Sequence, residues 1–427
     1  MAKKSSKRVA KRKTKRSRSS KGKAGVPQEV TPSRHLKENL EMKDLVAVRN
    51  LLEKRLKEGG TTVYEIPRDS IKINELTMNE ALKRINDVAL DLVNQIKITG
   101  SPTFKIPNRS SSNIIYDEKQ DLLLLGQKTT NKSLLTLTSA QDSARLMKVL
   151  EIIHELLRKK KHMTKREVYY GDVNLFQDQK FSDASIEDAS TLLRTTRNST
   201  GIVAKARGSA VGRLRLKDRN EIIDLDAQGS GAWSITPMID QVEVLESDAE
   251  FILVLEKDAA MMRLIEEKWW RKYPCIALTA EGVGNVATRM FLKKINRDLR
   301  LPTFSVVDAD PYGHYIYSVY IRGSKRLSYE TPFLATPDMH LLGVLSQDLD
   351  EYGIDYSCRI PMNKIDMKRL DDILAEPYVQ ANKRWKEDLE LMKKTKMKAE
   401  IQALSSHGIE YLTDTYLPNK LYSGDWI

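Results

Sequence analysis

Two groups of residues in this sequence have types and spacings that could do chemistry. The first lies in TKREVYYGDVNLF, Thr164 to Phe176, where two adjacent tyrosines follow an arginine. Arg166 precedes Tyr170 by four residues, so on a helix the guanidinium and the phenol are neighbours. Thr164 and Glu167 form a T-x-x-E capping box, which predicts a helix from about Lys165. Advancing about 100° per residue gathers Val168, Tyr169, Val173, Leu175 and Phe176 on one side. Tyr170, Asn174 and Gln177 fall opposite. Tyr169 is therefore expected in a buried stripe and Tyr170 outward, with Asp172 interrupting the apolar arc. On this segment alone the arginine and tyrosine read as an ordinary surface pair.

The second group is acidic. FILVLEKDAA places Glu256 directly after an apolar strand, and FSVVDADPYG places Asp308 and Asp310 directly after another. In an open parallel sheet the carboxyl ends of the strands face one crevice, so the three acids can converge. Three carboxylates in one crevice repel each other unless a cation sits among them. A hard divalent ion with oxygen ligands, Mg²⁺ above all, fits that demand. Asp310 before Pro311 also reads as a helix N-cap with proline at the first helical position. A glutamate after one strand and D-x-D after another is the pattern of a Toprim domain.

The elements that must position these groups can be read around them. Helical periodicity runs over residues 36–58, with Leu40, Leu45, Val48, Leu52 and Leu56 near one face, and stops at the glycines 59–60. It returns over 75–97 (Ala81, Leu82, Ile85, Ala89, Leu92, Val93, Ile96) and from Ser139 (Leu146, Val149, Leu150, Ile153, Leu156, Leu157). Between them, NIIYDEKQDLLLLG reads as two strands and a polar turn. A further helix is expected from about Ser185 to Arg197. After it, GIVAKARGSAVGRLRLKDRN reads as a hairpin, and helix, helix, helix, hairpin is the order of a winged helix. Arg213, Arg215, Lys217 and Arg219 alternate with Leu214 and Leu216, which puts cations on one strand face and leucines on the other. As a wing, those cations would touch DNA phosphates. DAQGSGAWSITP reads as a linker. Beyond it strands and helices alternate, which argues for a parallel sheet covered on both faces.

Charge is concentrated at one end. Of the net +13 on 427 residues, twelve cations and no acid lie in the first 24 residues, leaving about +1 for the rest. Such a block buries no core and is expected to be disordered. It would serve as a nonspecific arm that releases counterions from nucleic acid, or as a solubilising tail. Two cysteines, Cys275 and Cys358, are too few for a disulfide framework or a zinc cluster. No apolar run is long enough for a bilayer, no signal-peptide core is evident, and no GxxxxGK[ST] phosphate loop occurs. The expectation is a cytosolic protein. Four regions are expected: a basic tail (1–35), a helical extension (36–70), a winged-helix domain (71–228) and an α/β Toprim domain with a C-terminal extension (240–427). The fold class is α+β multidomain.

With TKREVYY, LEKDAA, VATR, DADPYGHYIYSVY and AEIQALSSHGIEYLTDTYLPNKL in view, the chain resembles the A-subunit family of DNA topoisomerase VI. This type IIB family includes the eukaryotic meiotic double-strand-break protein. The resemblance runs from about Leu76 to the C-terminus, and the last two motifs favour the topoisomerase branch. It implies Tyr170 as nucleophile, Arg166 as active-site arginine, and Glu256, Asp308 and Asp310 as Mg²⁺ ligands. It also implies a homodimer on double-stranded DNA, with each site built from two protomers. Strand passage would be driven by ATP bound in a separate GHKL-type B subunit, giving an A2B2 complex. The apolar stripe at 36–58 would either pack on its own domain or help receive that subunit. Such an enzyme would sit on the nucleoid, or in a nucleus. One departure stands out: TAEGVGNVATR, Thr279 to Arg289, carries Glu281 where the family typically has lysine. A meiotic-type break-forming transesterase and a noncatalytic winged-helix DNA-binding protein are the alternatives.

Overall fold

The computed structural model of the chain describes residues 67–427. The basic tail and the helix expected at 36–58 lie outside them.

A first body is built on helices. Helix α1 (Met78–Thr99) starts in a Thr77/Glu80 capping box and ends on Gly100 at φ 68°. Its first half packs inward through Ala81 and Ile85, whereas Leu90, Val93 and Ile96 face solvent. The stripe expected over 75–97 is thus buried only at its start. Strands β1 (Thr103–Pro107) and β4 (Thr129–Ser133) pair antiparallel. Between them β2 (Ile114–Asp117) and β3 (Leu122–Leu125) form the hairpin that the sequence predicts. Helix α2 (Ala140–Lys159) buries all six of its expected apolar residues. A short parallel pair, β5 (Met163–Thr164) and β6 (Ile202–Val203), brackets α3 (Lys165–Gly171), α4 (Val173–Phe176) and α5 (Gln179–Leu192). Helix α5 begins six residues before the expected Ser185, because the Asp178 carboxylate accepts the Lys180 N–H and caps it there. Ala81, Ile85, Phe104, Val149, Ile153, Val168, Phe176 and Ile186 share one core.

The second body is a six-stranded sheet. Its strands are β7 (Ser209–Gly212), β10 (Trp233–Ser234), β12 (Phe251–Leu255), β13 (Cys275–Thr279), β14 (Thr303–Val306) and β15 (Met339–Gly343). Their order is β10-β7-β13-β12-β14-β15. Strands β13, β12, β14 and β15 are parallel; at one edge β7 runs antiparallel to β13, and β10 antiparallel to β7. Every residue of β12 and β13 is buried, which is why these strands read as unbroken apolar runs rather than alternations. Helices α6 (Asp258–Glu267), α7 (Val286–Leu299) and α8 (Pro311–Arg322) connect them, as the alternation predicts. Both cysteines are free thiols.

The structure corrects the expected wing and the expected linker. Strand β7 pairs with β13, and Gly212 lets the two backbones meet: a Cβ there would sit 2.2 Å from the Cys275 carbonyl oxygen. Strand β8 (Leu214–Asp218) does form a hairpin, with β9 (Glu221–Asp224), but its other edge pairs with β11 (Val242–Ser247). Leu214 and Leu216 are buried as expected, in the core that holds Ile252 and Val254. The hairpin therefore belongs to the second body and is no wing on the first. Alternation marks a half-buried strand; it does not say which sheet it joins. The strand pair that packs with the helices is β1–β4, which precedes most of them. Trp233, inside the supposed linker, is buried against Phe291 with ring centroids 5.2 Å apart. The stretch around Trp233 is thus part of the second core instead of a free linker.

Candidate active site

Helix α3 starts as its sequence dictates. The Thr164 hydroxyl accepts the Glu167 N–H, and the Glu167 carboxylate accepts the Thr164 N–H at 2.6 Å. Val168 is fully buried and pins the helix to the first core, while Lys165 Nζ reaches Asp183 on α5 at 2.8 Å. Tyr169 packs half-buried against that core, and Tyr170 is 57% exposed. The outward and inward tyrosines are those the helical wheel assigns. Arg166 Nη2 and Nε donate to the Tyr170 phenolic oxygen at 3.1 and 3.3 Å. The wheel fails beyond Gly171. Asp172 ends α3 and caps α4 by accepting the Leu175 N–H at 3.0 Å, so the chain restarts its phase there. Val173, expected inward, is exposed for that reason.

The acids gather at the carboxyl ends of β12 and β14. Glu256 and Asp308 are buried, and the Asp308 N–H donates to Glu256 Oε2 at 2.9 Å. Asp308 Oδ1 accepts the Ile401 N–H at 2.8 Å, and its Oδ2 pairs with Lys257 Nζ at 2.9 Å. Lys257 also pairs with Glu400. Asp310 is the N-cap of α8: its Oδ1 accepts the Gly313 N–H at 2.6 Å, with Pro311 at the start of the helix. Gly313 is required here, because a Cβ would lie 2.3 Å from the Asp308 carbonyl oxygen. Cap and candidate ligand are thus the same residue.

Burial, and then repulsion by Asp308, pushes the Glu256 carboxyl up to about 7. Burial also raises Asp308, although the Ile401 N–H and Lys257 oppose the rise. Glu256 Oε1 and Asp310 Oδ2 keep no protein donor among the described residues. Two hard oxygens beside an under-compensated charge suit a divalent ion that binds through one or two carboxylates and retains its waters. Sequence reasoning misses Lys257, Glu400 and Ile401. Lys257 has a signal, since it adjoins Glu256; the other two come from a distant segment that nothing local marks.

A tighter acidic group exists elsewhere. Among the described residues, only Asp348, Glu351 and Asp425 bring three ligand atoms within 4.8 Å of one another. Lys420, fully buried, pairs with Asp348 at 3.0 Å and Asp425 at 2.6 Å, and Arg384 also pairs with Asp425. Protein cations already meet its charge.

The stripe on β8 is likewise matched. Arg213 pairs with Asp248, Arg215 with Glu246 and Lys217 with Glu243, while Arg219 donates to Gln241 at 3.0 Å. Glu281 is met by Arg207, which donates to its carbonyl and lies 3.5 Å from its carboxylate. Both partners are half-exposed, so the pair contributes little stability.

Comparison with known proteins decides the family. The model of the Toprim domain shared by Spo11 and the topoisomerase 6 A subunit matches residues 251–421, and a type IIB DNA topoisomerase model matches residues 141–202. The A subunit of DNA topoisomerase 6 from Arabidopsis thaliana is 44% identical over 343 residues, 80% of each chain. The chain belongs to the family of Spo11 and the topoisomerase 6 A subunit. Its members include the meiotic recombination protein SPO11 of Mus musculus, 36% identical over 82% of this chain and 89% of that one. They also include the A subunit of type 2 DNA topoisomerase 6 from Hyperthermus butylicus, 34% identical over 82% and 96%. The chain is therefore an enzyme of the type IIB DNA topoisomerase class, with an α+β architecture that contains a Toprim domain. The two matched segments cover Tyr170 and the three acids respectively. Among the described residues no helix is long and apolar enough to cross a membrane.

Proposed function

We propose that this chain is the DNA-cleaving and rejoining subunit of a type IIB topoisomerase, with Tyr170 as the nucleophile. The observation that carries this reading is the Arg166–Tyr170 pair on an exposed helix, with the phenolic oxygen 3.1 Å from Nη2. Tyr170 Oη attacks a backbone phosphorus as it loses its proton. A new P–O bond forms, the bond from phosphorus to the 3′ oxygen breaks, and that oxygen takes up a proton. The product is a 5′-phosphotyrosyl link. Arg166 already holds the phenolic oxygen, so its guanidinium lies where charge develops on the attacked phosphate. Reversal needs no ATP, because the link conserves the energy of the broken bond.

Glu256, Asp308 and Asp310 would hold Mg²⁺, with Asp308 also tied to Lys257. The ion, when bound, neutralises the phosphate and assists the leaving oxygen. Among the described residues no hydrogen bond or ion pair joins Arg166 or Tyr170 to the three acids, which lie on the other body of the chain. That separation supports a homodimer in which one protomer's Tyr170 works with its partner's acids, and two such sites cut both strands. A chain without a phosphate-loop motif needs its ATP-driven motion from elsewhere, in keeping with a GHKL-type B subunit in an A2B2 complex on nucleoid or nuclear DNA. With Arg213, Arg215 and Lys217 matched by acids, the basic tail supplies most of the nonspecific attraction to phosphates. Plasmid relaxation by this chain with a B subunit, dependent on Mg²⁺ and ATP, tests the reading. Cleavage without relaxation would instead place the chain with the break-forming members of its family.

A further inference from the structure

A cavity of about 710 Å³ lies between α7, α8, the segment from Gly323 to Leu327, and the helix Lys364–Leu374. That volume is in the range of small-molecule sites. At its base is Arg289, only 2% exposed. Its Nε and Nη2 have no hydrogen-bond partner, and among the described residues no salt bridge reaches it. The carboxylate of Glu330, which acts on its charge from a distance, accepts the Arg197 N–H instead. Burial lowers the guanidinium only to about 10, so it is cationic at neutral pH. A buried charge without a partner is costly, and an anion entering the cavity would relieve that cost.

The rest of the lining sorts by what already neutralises it. Lys325 is paired with Glu376 at 2.5 Å and Arg326 with Glu187 at 2.8 Å. Arg369 stacks over Tyr312 and Tyr315, about 5 Å from each ring; Asp366 acts on its charge through space, and among the described residues no ion pair holds it. Lys368 is exposed, and no ion pair holds it among the described residues. Against these stands Asp372. The cavity therefore carries a surplus of positive charge, with two guanidinium forks and one ammonium, the donor set for a phosphate group.

We propose that this cavity binds a small phosphate-bearing anion, seated on Arg289 and closed over by Lys368 and Arg369. A duplex cannot bring its backbone to a guanidinium 2% exposed, whereas a small molecule can enter. The proposal concerns binding alone, so it stands or falls separately from the cleavage reading.

The test is calorimetric titration of the full chain with inorganic pyrophosphate at fixed ionic strength, alongside Arg289→Met and the double variant Lys368→Ala/Arg369→Ala. Lys368 is exposed and Arg369 half-buried on the helix Lys364–Leu374, and the double variant serves if Arg289→Met does not fold. The expected result is one saturable site, weakened at least about tenfold in each folded variant, a loss expected when a charge-assisted contact is removed. The tail is present in all three proteins and cancels from the comparison. No saturable site in the wild type, or undiminished binding in the double variant, would overturn the proposal. So would a double variant that loses affinity only for a short duplex, which would assign these cations to the DNA backbone.

Discussion

The backbone N–H of Asp308 donates to Glu256 Oε2 at 2.9 Å, so two of the three acids are locked together across neighbouring parallel strands. The lock sets the spacing of the site before any ion arrives, and it does so at a cost. Glu256 is buried beside a second carboxylate and sits at about 7 instead of its ordinary 4.5.

That cost gives a pH signature. The folded chain holds the Glu256 proton more tightly than the unfolded chain does. The group's contribution to stability is thus fully present below about pH 4.5 and is lost as pH rises toward 7. In EDTA, Glu256→Gln should stabilise the chain at pH 8, by up to about 3 kcal/mol, with the gap shrinking toward pH 5. Adding Mg²⁺ should narrow it at pH 8. Thermal melts of both proteins at the two pH values check this, and a gap independent of pH would contradict it.

Asp308→Asn with Asp310→Asn should stop cleavage in Mg²⁺ while duplex binding persists or tightens, because less negative charge faces the phosphates. Gel-based cleavage and filter binding on the same preparation separate the two effects. Asp310 also caps α8, and asparagine caps about as well as aspartate, so the start of that helix should survive the change.

Much of this was legible in the sequence, for reasons that particular residues make plain. The T-x-x-E box and the position of Val168 dictate α3, so the outward Tyr170 follows from local rules. The buried runs of β12 and β13 and the intervening helices dictate a parallel sheet, and a parallel sheet dictates where Glu256 and Asp308 end up. Long-range pairing was not legible. Nothing in GSAVGRLRLKD says that β7 completes the second sheet or that β8 finds β11, whose Glu243 and Glu246 take up its cations. The Ile401 N–H that holds Asp308 comes from 93 residues away.

The cap of α3 can be tested by itself. Thr164→Ala removes the oxygen that accepts the Glu167 N–H and should cost about 1 kcal/mol of stability. Cleavage should slow with a smaller effect on DNA affinity, since the helix that presents Tyr170 would fray at its start. Unchanged cleavage would mean that Val168 and the Lys165–Asp183 pair hold the helix without the cap.

Deleting residues 1–24 removes twelve cations. Affinity for duplex DNA should fall, and the slope of its logarithm against the logarithm of salt concentration should become shallower, since fewer counterions are released. Cleavage at saturating DNA should survive. A slope that does not move would mean the tail stays off the duplex.

The central claim rests on one oxygen. Tyr170→Phe removes the phenolic oxygen that Arg166 holds and leaves the ring, while Tyr169→Phe makes the same change on the half-buried neighbour. The most direct measurement is trapping of covalent protein–DNA adducts with labelled duplex in Mg²⁺, for the wild type and both variants, with the B subunit present. The expected result is adducts from the wild type and Tyr169→Phe and none from Tyr170→Phe, whose fold and dimer remain intact. Adducts from Tyr170→Phe at the wild-type level would contradict the account.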